Sequence, residues 1–242
     1  MKDNFGEFAD NYNKTLNDAI QFSGEEAEFF IETKIKLMNE EIHRNNLCVR
    51  SILDFGCGTG NALKYIHKYF PEASYYGIDV SKQSIQQART QGSTDLFFYY
   101  EGNRLPFENN SFDIVFASVV FHHISLISHT PLIEDIHRVL NPNGGFFLFE
   151  HNPYNPFVRK IVKDCPFDKD AFLLSPKYSK KIFHHSPFQT WTLKYYLFFP
   201  KFLKIFRFLE KYLSWALIGA QYYIFAKKRK LRSERKDNGK KD

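Results

Sequence analysis

The chain has 242 residues and a formal net charge of +6, with 43% hydrophobic residues, 27 Phe and 14 Tyr. That length accommodates one α/β domain with elaborations. The charge sits at one end: residues 227–242 carry nine Lys or Arg against three acids, and the 226 residues before them carry 24 of each sign. A neutral body argues against nucleic acid as a partner, since a binding domain carries its positive charge on the folded face. The three cysteines, Cys48, Cys57 and Cys165, have neither zinc-ligand nor disulfide-framework spacing. No metal is therefore expected, and the usage fits a reducing cytoplasm.

Residues 14–46 read as mostly helical, with a break at Gly24. Ser23, followed three residues on by Glu26, has the spacing of a capping box, and Phe29, Phe30, Lys34, Leu37, Met38 and Ile42 mark an amphipathic helix. Strand and helix signals then alternate. Arg50–Phe55, Tyr75–Asp79, Leu96–Glu101, Phe112–Ser118 and Gly145–Glu150 read as strands. Asn61–Phe70, a helix capped by Ser81 and running to Gln91, and Pro131–Leu140 read as helices. Residues 151–187 hold five prolines and read as loops and short helices. Thr190–Phe199 and Gln221–Ala226 are strand candidates, with Lys201–Leu217 as a helix between them. This alternation specifies a doubly wound α/β sheet with right-handed crossovers. Residues 1–15 lack the apolar core of a leader, and the longest uncharged run, Tyr212–Ala226, is short for a membrane span.

The most informative stretch is Ile52-Leu53-Asp54-Phe55-Gly56-Cys57-Gly58-Thr59-Gly60. A strand that ends beside a carboxylate and turns through glycines into a helix builds a nucleotide-type pocket. The glycine spacing is G-x-G-x-G rather than the G-x-G-x-x-G of dinucleotide loops. Asp54 would repel a pyrophosphate and attract a ligand carrying an ammonium and a sulfonium. Nineteen residues beyond Gly60, Asp79 ends the second strand, where a carboxylate can accept from both hydroxyls of a ribose.

From Ile52 to Leu63 the chain resembles the first motif of class I S-adenosylmethionine (SAM)-dependent methyltransferases of the type 11-like, small-molecule kind, and the resemblance continues in order to residue 151. It implies a seven-stranded Rossmann-like sheet, mostly parallel with an antiparallel last strand, and helices on both faces. It divides the chain into a helical cap (1–46), a methyltransferase domain (47–226) with an irregular substrate-side insertion (151–187), and a basic tail (227–242) expected to be disordered. SAM is the implied cofactor. Asp54, Gly56 and Gly58 would hold its methionine part and Asp79 its ribose, with Cys57, Gly60 and Val80 as further cofactor-binding residues. Asn103 and Arg104 would flank the adenine, where the family usually has Asp in place of Asn103. Ser118 reaches the cofactor end of the fourth strand.

His122, His123 and His151 are the candidates for a general base. Tyr12, Asn152 and Tyr154 are the candidates for acceptor contact. O-methylation of a small or lipid-linked metabolite is the preferred reading, and a non-catalytic SAM-binding partner protein is the alternative. A looser similarity, over residues 153–168 and 217–222, is to methyltransferases of bacterial surface-polysaccharide pathways. Lys201, Lys204, Arg207 and Lys211 fall on one stripe of the 201–217 helix among apolar residues. Such a helix, with the tail, could touch the inner face of a membrane.

Overall fold

The computed structural model describes residues 17–18, 20–92, 96–102, 104–165 and 171–229. Tyr12, Asn103 and the tail beyond Arg229 therefore lie outside the described residues. In chain order the elements are α1 (Ala27–Arg44), β1 (Ser51–Phe55), α2 (Leu63–Tyr69), β2 (Ser74–Asp79), α3 (Lys82–Gln91), β3 (Phe97–Tyr99), β4 (Phe112–Ser118), α4 (Leu126–Val139) and β5 (Leu140–His151). They continue with α5 (Pro156–Asp164), α6 (Pro176–His184), β6 (Thr190–Tyr196), a 3-10 helix (Lys201–Leu209) running into α7 (Glu210–Leu213), and β7 (Gln221–Lys227).

The seven strands form one sheet in the order β3-β2-β1-β4-β5-β7-β6. The pairs from β3 to β5 are parallel. β7 is antiparallel to both β5 and β6, so β6 runs with the parallel strands and only the last strand in the chain is reversed, as expected.

Side chains alternate across the central strands, as the pleat requires. Ile52, Ile114, Phe116, Phe147 and Phe149 pack under α1, α2 and α3 on one face. Leu53, Val115, Ala117, Phe146 and Leu148 pack against α4 and α6 on the other. Much of the high aromatic content is spent here: Phe146, Phe147 and Phe149 are fully buried. Each such ring contributes about 2–3 kcal/mol of burial.

Ser81 caps α3, its hydroxyl accepting from the Ser84 amide. The expected capping box at Ser23 is absent. α1 starts at Ala27, whose N–H is taken by Asn17 Oδ1 at 2.8 Å, while Ser23 Oγ bonds locally to Ile20 and Glu25. α4 begins at Leu126, five residues before the expected start, and carries Pro131 in its second turn. Buried His129, two residues before the proline, clamps the start of the helix: Nε2 donates to the Phe121 and Ile124 carbonyls, and Nδ1 accepts from Tyr178.

The expected helix over 201–217 is mostly 3-10 and has no buried residue. The sequence explains it. Lys-Phe-Leu, Lys-Ile-Phe and Arg-Phe-Leu are three successive triplets, matching a helix of three residues per turn, in which i and i+3 eclipse. Arg207 fastens the segment, pairing with Glu25 at 2.8 Å and lying over the Phe29 ring at 4.5 Å.

Candidate functional site

A cavity of 720 Å³ opens above the C-terminal ends of β1, β2 and β4. This is where the strand order reverses and where open α/β sheets bind ligands. Its floor is the glycine loop. The Gly56 and Cys57 amides both donate to the Ile78 carbonyl, which folds the loop against β2. Gly56 sits at φ +76°, and a Cβ there would lie 2.4 Å from Val120 Cγ2. Gly56→Ala is expected to destabilise the protein by about 2 kcal/mol, combining left-handed strain with the clash. Adding Val120→Ala should recover only the clash, and urea melts of the single and double variants measure the split.

Gly58 is different in kind: at φ +51°, a Cβ would meet nothing within 4 Å. The backbone there is bare to the cavity. Gly60, at φ +82°, does not line the cavity and packs on Phe97 instead. Cys57 lines the cavity wall, and burial pushes its thiol well up, which removes it as a nucleophile.

Asp79 ends β2 with both oxygens engaged by the loop: Oδ2 accepts from Gly58 N–H at 2.8 Å and Oδ1 from Ser81 N–H at 2.9 Å. Each carboxylate oxygen has a second lone pair, so the group organises the turn and still presents acceptors to a diol. Asp54 is buried and accepts from the Tyr75 hydroxyl at 2.8 Å. Burial pushes it up to about 7, so near neutral pH it holds a proton much of the time. Val80 and Ser118 also line the cavity.

Lys34 is the residue that sequence reading passed over. It is buried on α1, and its Nζ donates to Ser118 Oγ at 2.8 Å. Burial lowers its pKa to about 8, while the charges of Glu150 and Asp54 act in the opposite direction. The signal was there: a lysine on the apolar stripe of an amphipathic helix. Its helix is pinned at the other end by Glu41, which takes Tyr223 OH at 2.7 Å, Arg44 at 2.6 Å and Lys194.

Glu150, at the end of β5, is also fully buried. It accepts from Phe121 N–H at 2.9 Å and from His122 Nδ1 at 2.7 Å. Burial alone would raise its pKa, but His122, His151 and the Phe121 amide outweigh that and hold it below the usual carboxylate value. His122, His123 and His151 all line the cavity, the His122 ring lying 4.1 Å from His123 and 5.6 Å from His151. His151 Nδ1 meets Gln221 Nε2 at 3.3 Å, and Gln221 Oε1 accepts from Tyr196.

Two expected contacts are corrected. Asn152 does not line the cavity. Its amide donates to the Leu217 and Gly219 carbonyls and its oxygen accepts from Tyr154 N–H, so it ties the 217–219 turn to β5. Arg104 does not line the cavity either; it is exposed, 3.7 Å from Asp135, beside a separate surface depression. Tyr154 stands at the cavity mouth, half exposed.

The loop and the charges fit an amino-acid-bearing nucleoside. Bare backbone lies at Gly58, diol acceptors at Asp79, and the carboxyl of Asp54 and the ammonium of Lys34 stand by to meet an ammonium and a carboxylate. On a sheet of this order, that set defines a nucleoside-cofactor-binding methyltransferase fold. The comparisons agree. Residues 53–148 match the family model described as "Methyltransferase domain".

A malonyl-[acyl-carrier protein] O-methyltransferase of Legionella pneumophila is 32% identical over 114 residues, covering 43% of this chain and 37% of that protein. A phthiotriol/phenolphthiotriol dimycocerosates methyltransferase of Mycobacterium leprae is 31% identical over 124 residues, covering 50% of this chain and 45% of that one. The chain thus spans half or less of the length of these curated relatives. In fold it resembles a SAM-dependent methyltransferase of Thermotoga maritima, described as a possible histamine N-methyltransferase, with TM-score 0.67, 16% identity, and coverage of 93% of this chain and 98% of that one. Residues 53–148 thus match a methyltransferase domain, on a fold shared with SAM-dependent methyltransferases, which makes S-adenosylmethionine the cofactor these similarities indicate.

Proposed function

We propose that this protein methylates a hydroxyl or carboxyl of an apolar small or lipid-linked metabolite, with Glu150 and His122 handling the acceptor's proton. The observation that carries this reading is the buried Glu150–His122 pair, whose His122 lines an aromatic-walled cavity beside the cofactor loop. The names of the Legionella and Mycobacterium relatives, one a malonyl-[acyl-carrier protein] O-methyltransferase and the other a phthiotriol/phenolphthiotriol dimycocerosates methyltransferase, support a carrier- or lipid-linked acceptor.

SAM, when bound, supplies a methyl group on an electrophilic sulfonium. What the chain adds is alignment, dehydration and proton management. Asp79 would take the ribose hydroxyls, Asp54 the methionine ammonium and Lys34 its carboxylate. Phe29, Phe30 and Phe116 exclude water from the cavity. Glu150 fixes His122 with Nδ1–H donating, which leaves Nε2 as the basic nitrogen for an acceptor proton. His122 is the base in this scheme and Glu150 its positioning residue.

The test is S-adenosylhomocysteine release across a panel of apolar alcohols and acids. His122→Ala is expected to lower kcat about 100-fold, the usual scale for a positioned base. Glu150→Gln should lower kcat, leave the KM for SAM unchanged, and move the acid limb of the pH–rate profile. If S-adenosylhomocysteine binds tightly but no acceptor turns over, the non-catalytic partner reading takes its place.

A further inference from the structure

The face formed by residues 201–218 is unexplained by cofactor binding. Phe202, Ile205, Phe208, Tyr212, Trp215 and Ile218 are each between 64% and 76% exposed. Monomeric soluble proteins rarely leave so much contiguous apolar side chain in water. Basic residues interleave with them: Lys201, Lys204 and Lys211 are all exposed. The one acid among them, Glu210, is turned inward, accepting from the Phe198 and Phe199 amides. α5, on the same cavity, adds exposed Phe157 with Arg159, Lys160 and Lys163. Phe202, Phe157 and Ile218 belong both to this surface and to the cavity wall, so the apolar face runs directly into the pocket.

From this arrangement we infer that residues 201–218, with α5, form a docking surface for an anionic lipid bilayer. Exposed Phe, Trp and Tyr among lysines is the chemistry of the bilayer interface, where rings enter the headgroup region and ammonium groups meet lipid phosphates. Charge decides against a second copy of this chain as occupant, because two such faces would bring like charges together.

The docking inferred rests on residues 201–218 and α5 and does not call on the basic tail. β7 runs from Gln221, paired with His151 at the cavity end, to Lys227, paired with Gly145. Lys227 therefore stands at the far end of the sheet from the cavity, roughly 20 Å away at 3.3 Å per residue. The corollary that the pocket draws its acceptor from the bilayer rests on the function proposed above; the docking itself does not.

Trp215 is a built-in probe, one of two tryptophans in the chain. The full-length protein is mixed with vesicles of phosphatidylglycerol and phosphatidylcholine, and separately with phosphatidylcholine alone. A blue shift of Trp215 and its quenching by brominated lipid are expected with the anionic vesicles and not with the neutral ones. The Ile205→Ser, Phe208→Ser double variant should abolish the shift; both side chains are exposed, so folding should survive.

Lys201→Gln, Lys204→Gln and Lys211→Gln together should weaken partitioning on the order of 100-fold. Replacing Lys230, Arg232, Arg235, Lys236, Lys240 and Lys241 by Gln should leave it intact. The inference fails if anionic vesicles give no shift, if the serine variant binds as well as wild type, or if only the tail variant loses binding. It fails equally if sedimentation shows a dimer that the serine variant breaks. Calorimetry with S-adenosylhomocysteine on the same proteins keeps the two readings apart: wild type that binds vesicles but not that ligand overturns the proposed function and leaves the docking surface standing.

Discussion

Asp79→Ala is expected to weaken binding of S-adenosylhomocysteine by at least about 100-fold, the loss of two hydrogen bonds to a charged group at about 1.5–3 kcal/mol each. The substitution acts twice. It removes the acceptors offered to the ribose, and it releases the Gly58 and Ser81 amides that Oδ2 and Oδ1 hold at 2.8 and 2.9 Å. The loop then loses the bond that shapes its bare segment. Asp79→Asn keeps one acceptor oxygen and the shape of the side chain but loses the charge, so about 10-fold weakening is expected, within the range for exchanging a charge-assisted bond for a neutral one. Isothermal calorimetry on the three proteins gives the order directly. An Asp79→Ala protein that binds within a few-fold of wild type would remove Asp79 from the cofactor site and leave it only a turn-former.

The central sheet was legible because local chemistry specified it. Apolar runs that close at Asp54-Phe55 and at Asp79 give β1 and β2, the glycines give the loop, and Ser81 gives a cap that the structure reproduces. What escaped reading depends on contacts between distant parts of the chain. Asn152 looked like an acceptor ligand because it follows β5 at the ligand end. Its role is set by the Leu217 and Gly219 carbonyls, more than sixty residues away. Glu150 stood in view beside His151, yet its burial against His122 emerges only when β5 meets the turn after β4. The 201–209 triplets were readable as a period of three, but four basic residues at near-helical spacing suggested the wider α-helical turn. Pro131 drew the start of α4 too late because a proline usually opens a helix; the clamp by His129 was not visible from spacing.

Lys34→Met is expected to make the ligand-free protein more stable and the enzyme worse. In the folded state the Lys34 pKa is about 8, against an ordinary value of 10.5, because burial penalises the ammonium. At pH 7 that difference costs about 3 kcal/mol of folding stability at 1.36 kcal/mol per unit. Since the folded-state value is depressed, the unfolded chain binds more protons between pH 8 and 10.5, and the Lys34 contribution to stability rises with pH across that window. Methionine matches the length of the buried stem and carries no charge. Its advantage should therefore be full below pH 8, shrink through the window and vanish by about pH 10.5, which urea melts at pH 7, 9 and 10.5 would track.

Part of the gain is offset, because Asp54 loses its cation and Ser118 its donor, so about 2 kcal/mol is the expected net effect at pH 7. A cost of this size persists where a ligand recovers it. A carboxylate bound at Lys34 would lift its pKa, and binding of S-adenosylhomocysteine at pH 8–9 should then take up protons. Calorimetry in buffers of different ionisation enthalpy reads that uptake, and Lys34→Met should abolish it while weakening binding about 10-fold or more. A variant that is more stable yet binds as tightly as wild type, with unchanged proton uptake, would show that Lys34 serves the junction of α1 with Ser118 and not the cofactor.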